Sequence, residues 1–169
     1  MNRIQQLHNT LKDRILVLDG AMGTMIQRYS LKESDFRGER FGEHKCELLG
    51  FNDLLCLTRP DIIEEIHDCY LDAGADIIET NTFGANSIAA EDYSLSSVVY
   101  ELNKRAAEIA RKCVEKKEKK DGKLCWVAGA IGPTNRTASL SPDVNNPGYR
   151  NIDFMTLVES YKEAIDGLL

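Results

Sequence analysis

The sequence has no apolar run approaching the ~20 residues of a membrane-spanning helix. Its amino-terminal segment, MNRIQQLHNTLKDR, lacks the apolar core and cleavage site of a secretory signal. It has no basic surplus either. The 21 Lys and Arg against 27 Asp and Glu leave a net charge of −6, which argues against nucleic acid or an anionic membrane as partner. The lysines of 116–120 are interleaved with Glu118 and read as a solvated helix end. No Cys-x-x-Cys occurs. Cysteines 46, 56, 69, 113 and 125 are odd in number, which predicts free thiols in a reducing cytoplasm and disfavours a metal site built from them alone. His8, His44 and His67 share no spacing, so none reads as catalytic. Trp126 and Phe83 read as packing residues.

What is present suits one α/β domain over residues 1–169, with 43% apolar and 28% charged residues. Ile4, Leu7 and Leu11 predict a leading amphipathic helix. Ile15 to Asp19 predicts a strand buried on both faces. Met25 to Tyr29 predicts a helical turn, and Leu31 to Leu57 a long irregular connection. Thr58 is placed to cap a helix with Pro60 in its first turn, its apolar face at Ile62, Ile63, Ile66, Cys69, Tyr70 and Ala73, and Gly74 as its stop. Strand two is Ala75 to Thr80. A helix from about Ser97 to Glu115 follows, then strand three from Leu124 to Ala130. Asp153 caps a last helix with Phe154, Leu157, Val158, Tyr161, Ile165 and Leu168 inward. The βαβαβα order calls for a parallel sheet with right-handed crossovers.

All three strands lead into polar residues at their carboxyl ends: Asp19, then Glu79 with Asn81 and Thr82, then Thr134 with Asn135. That is the pattern of an α/β ligand face. Asp19-Gly20-Ala21-Met22-Gly23-Thr24 is open to three readings. It lacks Gly-x-Gly-x-x-Gly and a following Lys-Ser/Thr, which counts against a phosphate loop. It could be an acid capping a turn. It could also be an amino-acid clamp, with the Asp19 carboxylate taking an ammonium and the turn's N–H groups a carboxylate. Glu79 reads equally as a strand-end acid paired to a cation or as a site residue, and Thr82 as a turn residue or a ligand hydroxyl.

Taken together, LDGAMGT, GADIIETNTF and VAGAIGPTN resemble, in order, the amino-terminal homocysteine-binding domain of the cobalamin-dependent methionine synthase family. FRGERF, FNDLL, TRPDIIEEIH and PGYRNIDF favour that family over related enzymes that use betaine or S-methylmethionine. The resemblance implies a (β/α)₈ TIM barrel. A barrel of that kind needs ~250 residues, so this chain would hold its leading helix and about three βα units, incomplete. The raw sheet edge would then favour self-association.

The resemblance further implies that Asp19 binds the homocysteine ammonium and the backbone of Gly20, Ala21 and Met22 its carboxylate. Thr82 assists, Glu79 and Asn81 lie beside them, and Asn135 is a weaker candidate. In the family, zinc holds the homocysteine sulfur as thiolate, and the methyl group comes from methylcobalamin recharged by 5-methyltetrahydrofolate on further domains. The family's zinc cysteines match none of the five here and are expected beyond Leu169. The expectation is therefore a cytoplasmic methyltransferase part that is inactive alone, with no catalytic or metal residue of its own. Its partners would be homocysteine and the folate, cobalamin and activation domains. Two alternatives stand: a cobalamin-independent homocysteine S-methyltransferase, or a stand-alone, non-catalytic half-barrel that binds a small molecule.

Overall fold

The computed structural model describes residues 2–169. Helix α1 (Arg3–Asp13) opens the chain, capped by the Asn2 side chain on the Gln5 N–H. The sheet core is two parallel strands, β1 (Ile77–Glu79) and β2 (Trp126–Ala128), in the register Ile77–Trp126, Ile78–Val127 and Glu79–Ala128. Both are shorter than the sequence predicts. The expected first strand is reduced to one parallel bridge, Leu18 to Ile77. Its side chains correct the expectation of burial on both faces: Ile15 is 88% exposed and Val17 56%. The backbone follows β1 on one side, while nothing among the described residues covers the other.

An acid holds this stretch in place. Asp76 is almost fully buried just before β1. It accepts hydrogen bonds from both Arg14 guanidinium nitrogens at 2.8 Å and from the Val17 N–H at 2.9 Å, and Lys123 Nζ lies 2.9 Å away. The Arg14 guanidinium, with the Val17 amide and Lys123, overrides the cost of burial and holds its carboxyl far below the usual range. Val17 O accepts the N–H groups of Asp76 and Ile77, completing the join.

The stretch expected to be irregular is ordered. Helix α2 (Met22–Gln27) starts three residues before the predicted turn. Helix α3 (Glu33–Arg37), a 3₁₀ turn (Asn52–Leu54) and α4 (Leu55–Thr58) divide the rest. Glu33 accepts the Leu48 and Leu49 N–H groups at 3.0 and 2.7 Å and pairs with Arg37, which donates to the Cys46 carbonyl at 2.9 Å. Phe36, Phe41, Leu48 and Phe51 are buried, and Phe51 stacks on Tyr93 at 4.7 Å. Charge pairs and aromatic burial replace the periodicity that marks a helix.

Helix α5 (Pro60–Ala73) has Pro60 in its first turn as predicted, but Thr58 does not cap it. The Thr58 hydroxyl donates back to Leu54 O at 3.4 Å. Its core face is Ile62, Ile63, Ile66, His67 and Leu71, and Cys69 points to solvent instead of inward. Asn86 caps the short α6 (Ser87–Glu91). Helix α7 (Val99–Asp121) runs six residues past its predicted end. The lysine run therefore lies within the helix, where Lys112, Lys116 and Lys117 pair with Glu64, Asp68 and Asp72 of α5 at 2.7, 2.5 and 2.7 Å.

Helix α8 (Phe154–Leu168) is capped by Asp153 on the Thr156 N–H at 2.9 Å. Its buried stripe is Ser160, Ala164 and Gly167, whereas Phe154, Val158 and Ile165 are exposed. The expectation that the large apolar residues face inward is corrected here. The reason is distance: a Cβ on Gly167 would stand 2.6 Å from Tyr100 O and 2.8 Å from Asn103 Cβ, so α8 lies on α7 too closely for large side chains. No helix among the described residues is long and apolar enough to cross a membrane.

Two predictions follow from the buried polar groups. Asp76→Asn should cost about 3 kcal/mol, because it leaves two cations without their buried partner, and chemical denaturation will measure the loss. His67 is fully buried, neither ring nitrogen has a partner among the described residues, and burial pushes its pKa down to about 4. The unfolded state takes up a proton near pH 6.5 and the folded state does not until about pH 4. Stability is thus lost as pH falls through that window, by about 3 kcal/mol in all. The stability difference between the wild type and His67→Leu should change with that slope between pH 6.5 and 4. A difference independent of pH contradicts the buried neutral histidine.

Candidate functional site

A cleft of about 460 Å³ opens at the carboxyl ends of the strands, lined by residues 19–23, 50–53, 79–84 and Ala130 in part. The first wall is Asp19 and the turn after it. Asp19 N–H donates to Ile77 O at 2.9 Å, and both carboxylate oxygens accept the Glu79 N–H at 3.1 Å. The bridge at Leu18 thus sets Asp19 beside the end of β1. Burial pushes the Asp19 pKa up to about 6. The Glu79 amide opposes that rise and the Glu79 charge adds to it. The amides of Gly20, Ala21 and Met22 meet no acceptor among the described residues.

The second wall is the segment after β1. Glu79 is exposed at the strand end, and Thr80, Asn81 and Thr82 are buried. Thr80 Oγ1 accepts the Ala130 N–H at 2.9 Å, and Thr82 Oγ1 donates to Ala130 O at 2.8 Å. The two hydroxyls lie 2.6 Å apart, so Thr80 donates to Thr82. The Thr82 proton is committed, and its oxygen can only accept from a ligand. Asn81 Nδ2 donates to Asn52 O at 2.8 Å and to Cys56 Sγ at 3.7 Å, while Cys56 Sγ donates to Asn81 O at 3.6 Å. This fixes the amide so that Oδ1 is the group left without a partner.

The structure brings together Asp19, Gly20, Ala21, Met22, Glu79, Asn81 and Thr82, all of which line the cleft. It does not bring in Thr134 and Asn135, which follow strand three. Asn135 is exposed and donates to Asp92, and Thr134 donates to Arg136 O. The chain passes too close beneath the second wall, since a Cβ on Gly132 would stand 2.2 Å from Phe83 O. Gly50, Asn52, Asp53, Thr80, Gly84 and Ala130 line the cleft without having been site candidates, and Phe83, expected to pack, is 66% exposed and lines it as well. Asp53 is buried and accepts the Gly84 N–H at 2.9 Å, and desolvation pushes its pKa up to about 6. The one signal for it was an acid beside Asn52 at a helix start, which also reads as an ordinary cap.

The charged side chains lining the cleft are Asp19, Asp53 and Glu79, with no cation among them. Donors come from the backbone instead. Such a lining suits a ligand with a cationic donor group and a small anionic group. A zinc ion does not fit the residues present. No cluster of His, Cys, Asp or Glu able to hold a metal occurs among the described residues. Burial pushes the Cys56 and Cys113 thiols up to about 12, so they stay protonated, and Cys69 stands apart on the surface.

Parallel strands with a polar cleft at their carboxyl ends are the arrangement in which α/β folds place a ligand site. The family model for homocysteine S-methyltransferase matches residues 16–169, and the chain belongs to that family. Its fold is similar to that of the homocysteine methyltransferase MmuM from Escherichia coli. The oxidized form of MmuM matches with a TM-score of 0.67 at 22% identity, over 94% of this chain and 50% of that one. The metallated form matches with a TM-score of 0.65 at 22% identity, over 96% and 52%. The chain spans about half the length of these solved relatives.

Carboxyl titration by NMR should show opposite shifts for the two acids of strand one's register. Asp19 should titrate near pH 6, while Asp76 should stay ionised well below the ordinary carboxylate range. An Asp19 midpoint near 4 contradicts the desolvated cleft.

Proposed function

We propose that this chain is the homocysteine-binding first part of a methionine synthase, about three βα units of a (β/α)₈ barrel. The observation that carries the reading is the pairing at the first wall. Asp19 is held by the Glu79 amide next to three unused backbone N–H groups, in a cleft whose charged side chains are all acidic. Asp19 takes the ammonium of homocysteine, and the amides of Gly20, Ala21 and Met22 take its carboxylate. Asn81 Oδ1, Glu79 and the Thr82 oxygen supply further acceptors. Here Thr82 assists as an acceptor, since its proton is held by Ala130.

The segments FRGERF, FNDLL, TRPDIIEEIH and PGYRNIDF support methylcobalamin, recharged by methyltetrahydrofolate, as the methyl source. A small methyl donor is the alternative within the family. The zinc that would hold the sulfur needs ligands this chain does not supply, so the chain alone does not transfer a methyl group. Partner domains for folate, cobalamin and activation belong to the complete protein, which acts in the cytoplasm. Exposed Ile15, Val17 and Leu140 mark the surface that the rest of the barrel covers, or through which isolated copies self-associate.

In the complete natural protein, Asp19→Asn should weaken L-homocysteine binding at least tenfold by calorimetry, about 1.4 kcal/mol. Wild-type affinity should fall as pH drops below about 6, because the protonated Asp19 no longer attracts an ammonium. Unchanged affinity in the variant would falsify the clamp. Turnover of homocysteine with methylcobalamin by the 169-residue chain alone would refute its inactivity.

A further inference from the structure

The cleft has a third wall that the clamp does not use. Gly50, Asn52 and Asp53 line it beside the turn that follows β1. Two separate contacts tie this wall to the turn. Asn52 O receives Asn81 Nδ2 at 2.8 Å, and Asp53 Oδ1 receives the Gly84 N–H at 2.9 Å. Asp53 is 8% exposed and forms no ion pair among the described residues. A buried carboxylate met only by neutral backbone donors is costly, as its raised pKa of about 6 reflects. Its other oxygen lies flat against Gly84, where a Cβ would stand 3.0 Å from Oδ2. An apolar residue at position 53 would fill a helix start at less cost, so packing does not explain the acid.

We propose that Asp53 is a positioning residue for the ligand site, holding the 81–84 turn through the Gly84 N–H so that Asn81 and Thr82 present their acceptor oxygens to the cleft. The effect is indirect. Asp53 sets where Gly84 sits, and the turn between Gly84 and β1 carries Asn81 and Thr82. This rests on the homocysteine reading above for the identity of the ligand. The geometric part does not.

The test uses the complete natural protein and three variants. Asp53→Asn keeps an oxygen that can accept the Gly84 N–H and removes the charge. Asp53→Ala removes the acceptor. Gly84→Ala crowds the same contact from the other side. Amide hydrogen exchange across residues 81–86, without ligand, should be faster in Asp53→Ala and near wild type in Asp53→Asn. L-homocysteine affinity should fall about tenfold in Asp53→Ala and several-fold in Gly84→Ala, and stay within about twofold in Asp53→Asn. The KM for homocysteine should rise in the same order, with kcat little changed.

If Asp53→Asn loses as much affinity as Asp53→Ala, the charge itself meets the ligand and the positioning role is overturned. Wild-type exchange and affinity in Asp53→Ala overturn it as well. Should Asp53→Ala not fold, Gly84→Ala decides by the same two readouts. A wild-type protein that shows no homocysteine affinity, yet shows the exchange pattern, refutes the ligand assignment and leaves the latch standing.

Discussion

The site depends on one buried charge that never reaches it. Asp76 gathers Arg14, Lys123 and the Val17 N–H from three parts of the chain. Such a cluster is stable because every charge on the buried acid is answered at hydrogen-bond distance. It also does what two short strands cannot. The first strand has a single bridge to β1, too little to fix a register by ladder bonds alone. With Val17 pinned at one end, Asp19 falls opposite the Glu79 amide at the other. A slip of one residue would turn Asp19 to the other face of the sheet.

The two ends of this short stretch treat their acids in opposite ways. Asp76 is held ionised by two cations, whereas Asp19 and Asp53 are partly desolvated with only backbone donors. The first arrangement is complete without a ligand. At Asp19 the second leaves partly satisfied charge beside a cleft, which is a common mark of a functional site. The threonine pair and Asn81 show the same division on a smaller scale. Their protons are spent within the protein, so lone pairs are what they have left to offer.

Much of the fold was legible where local chemistry decides it. Asn81, Thr82, Asp19 and the glycine turn could be expected at one cleft because strand ends in α/β folds carry ligand groups whatever packs around them, and they line one. The helices α5 and α7 were found from their apolar period. The failures share a cause. The exposed face of Ile15 and Val17, the small stripe of α8, and the outward Cys69 all depend on how near another element lies. Periodicity cannot report that distance. Asp53 was missed because a cap and a cleft-facing acid have the same local sequence, and Asn135 was overrated because nothing local says that strand three's end bonds to Asp92.

The ion pairs between α5 and α7 carry a further consequence. Their acids stand at 64, 68 and 72 and their lysines at 112, 116 and 117, with Lys120 a further 3.9 Å contact of Asp72. Both rows repeat at about one helical turn. Sliding one helix along the other by a turn would therefore rebuild most of the pairs with new partners. The ladder fastens the two helices side by side but is blind to their offset along the axis. That offset must be read from contacts that do not repeat, such as the buried Cys113, whose Sγ donates to the Glu64 carbonyl of α5 at 3.7 Å.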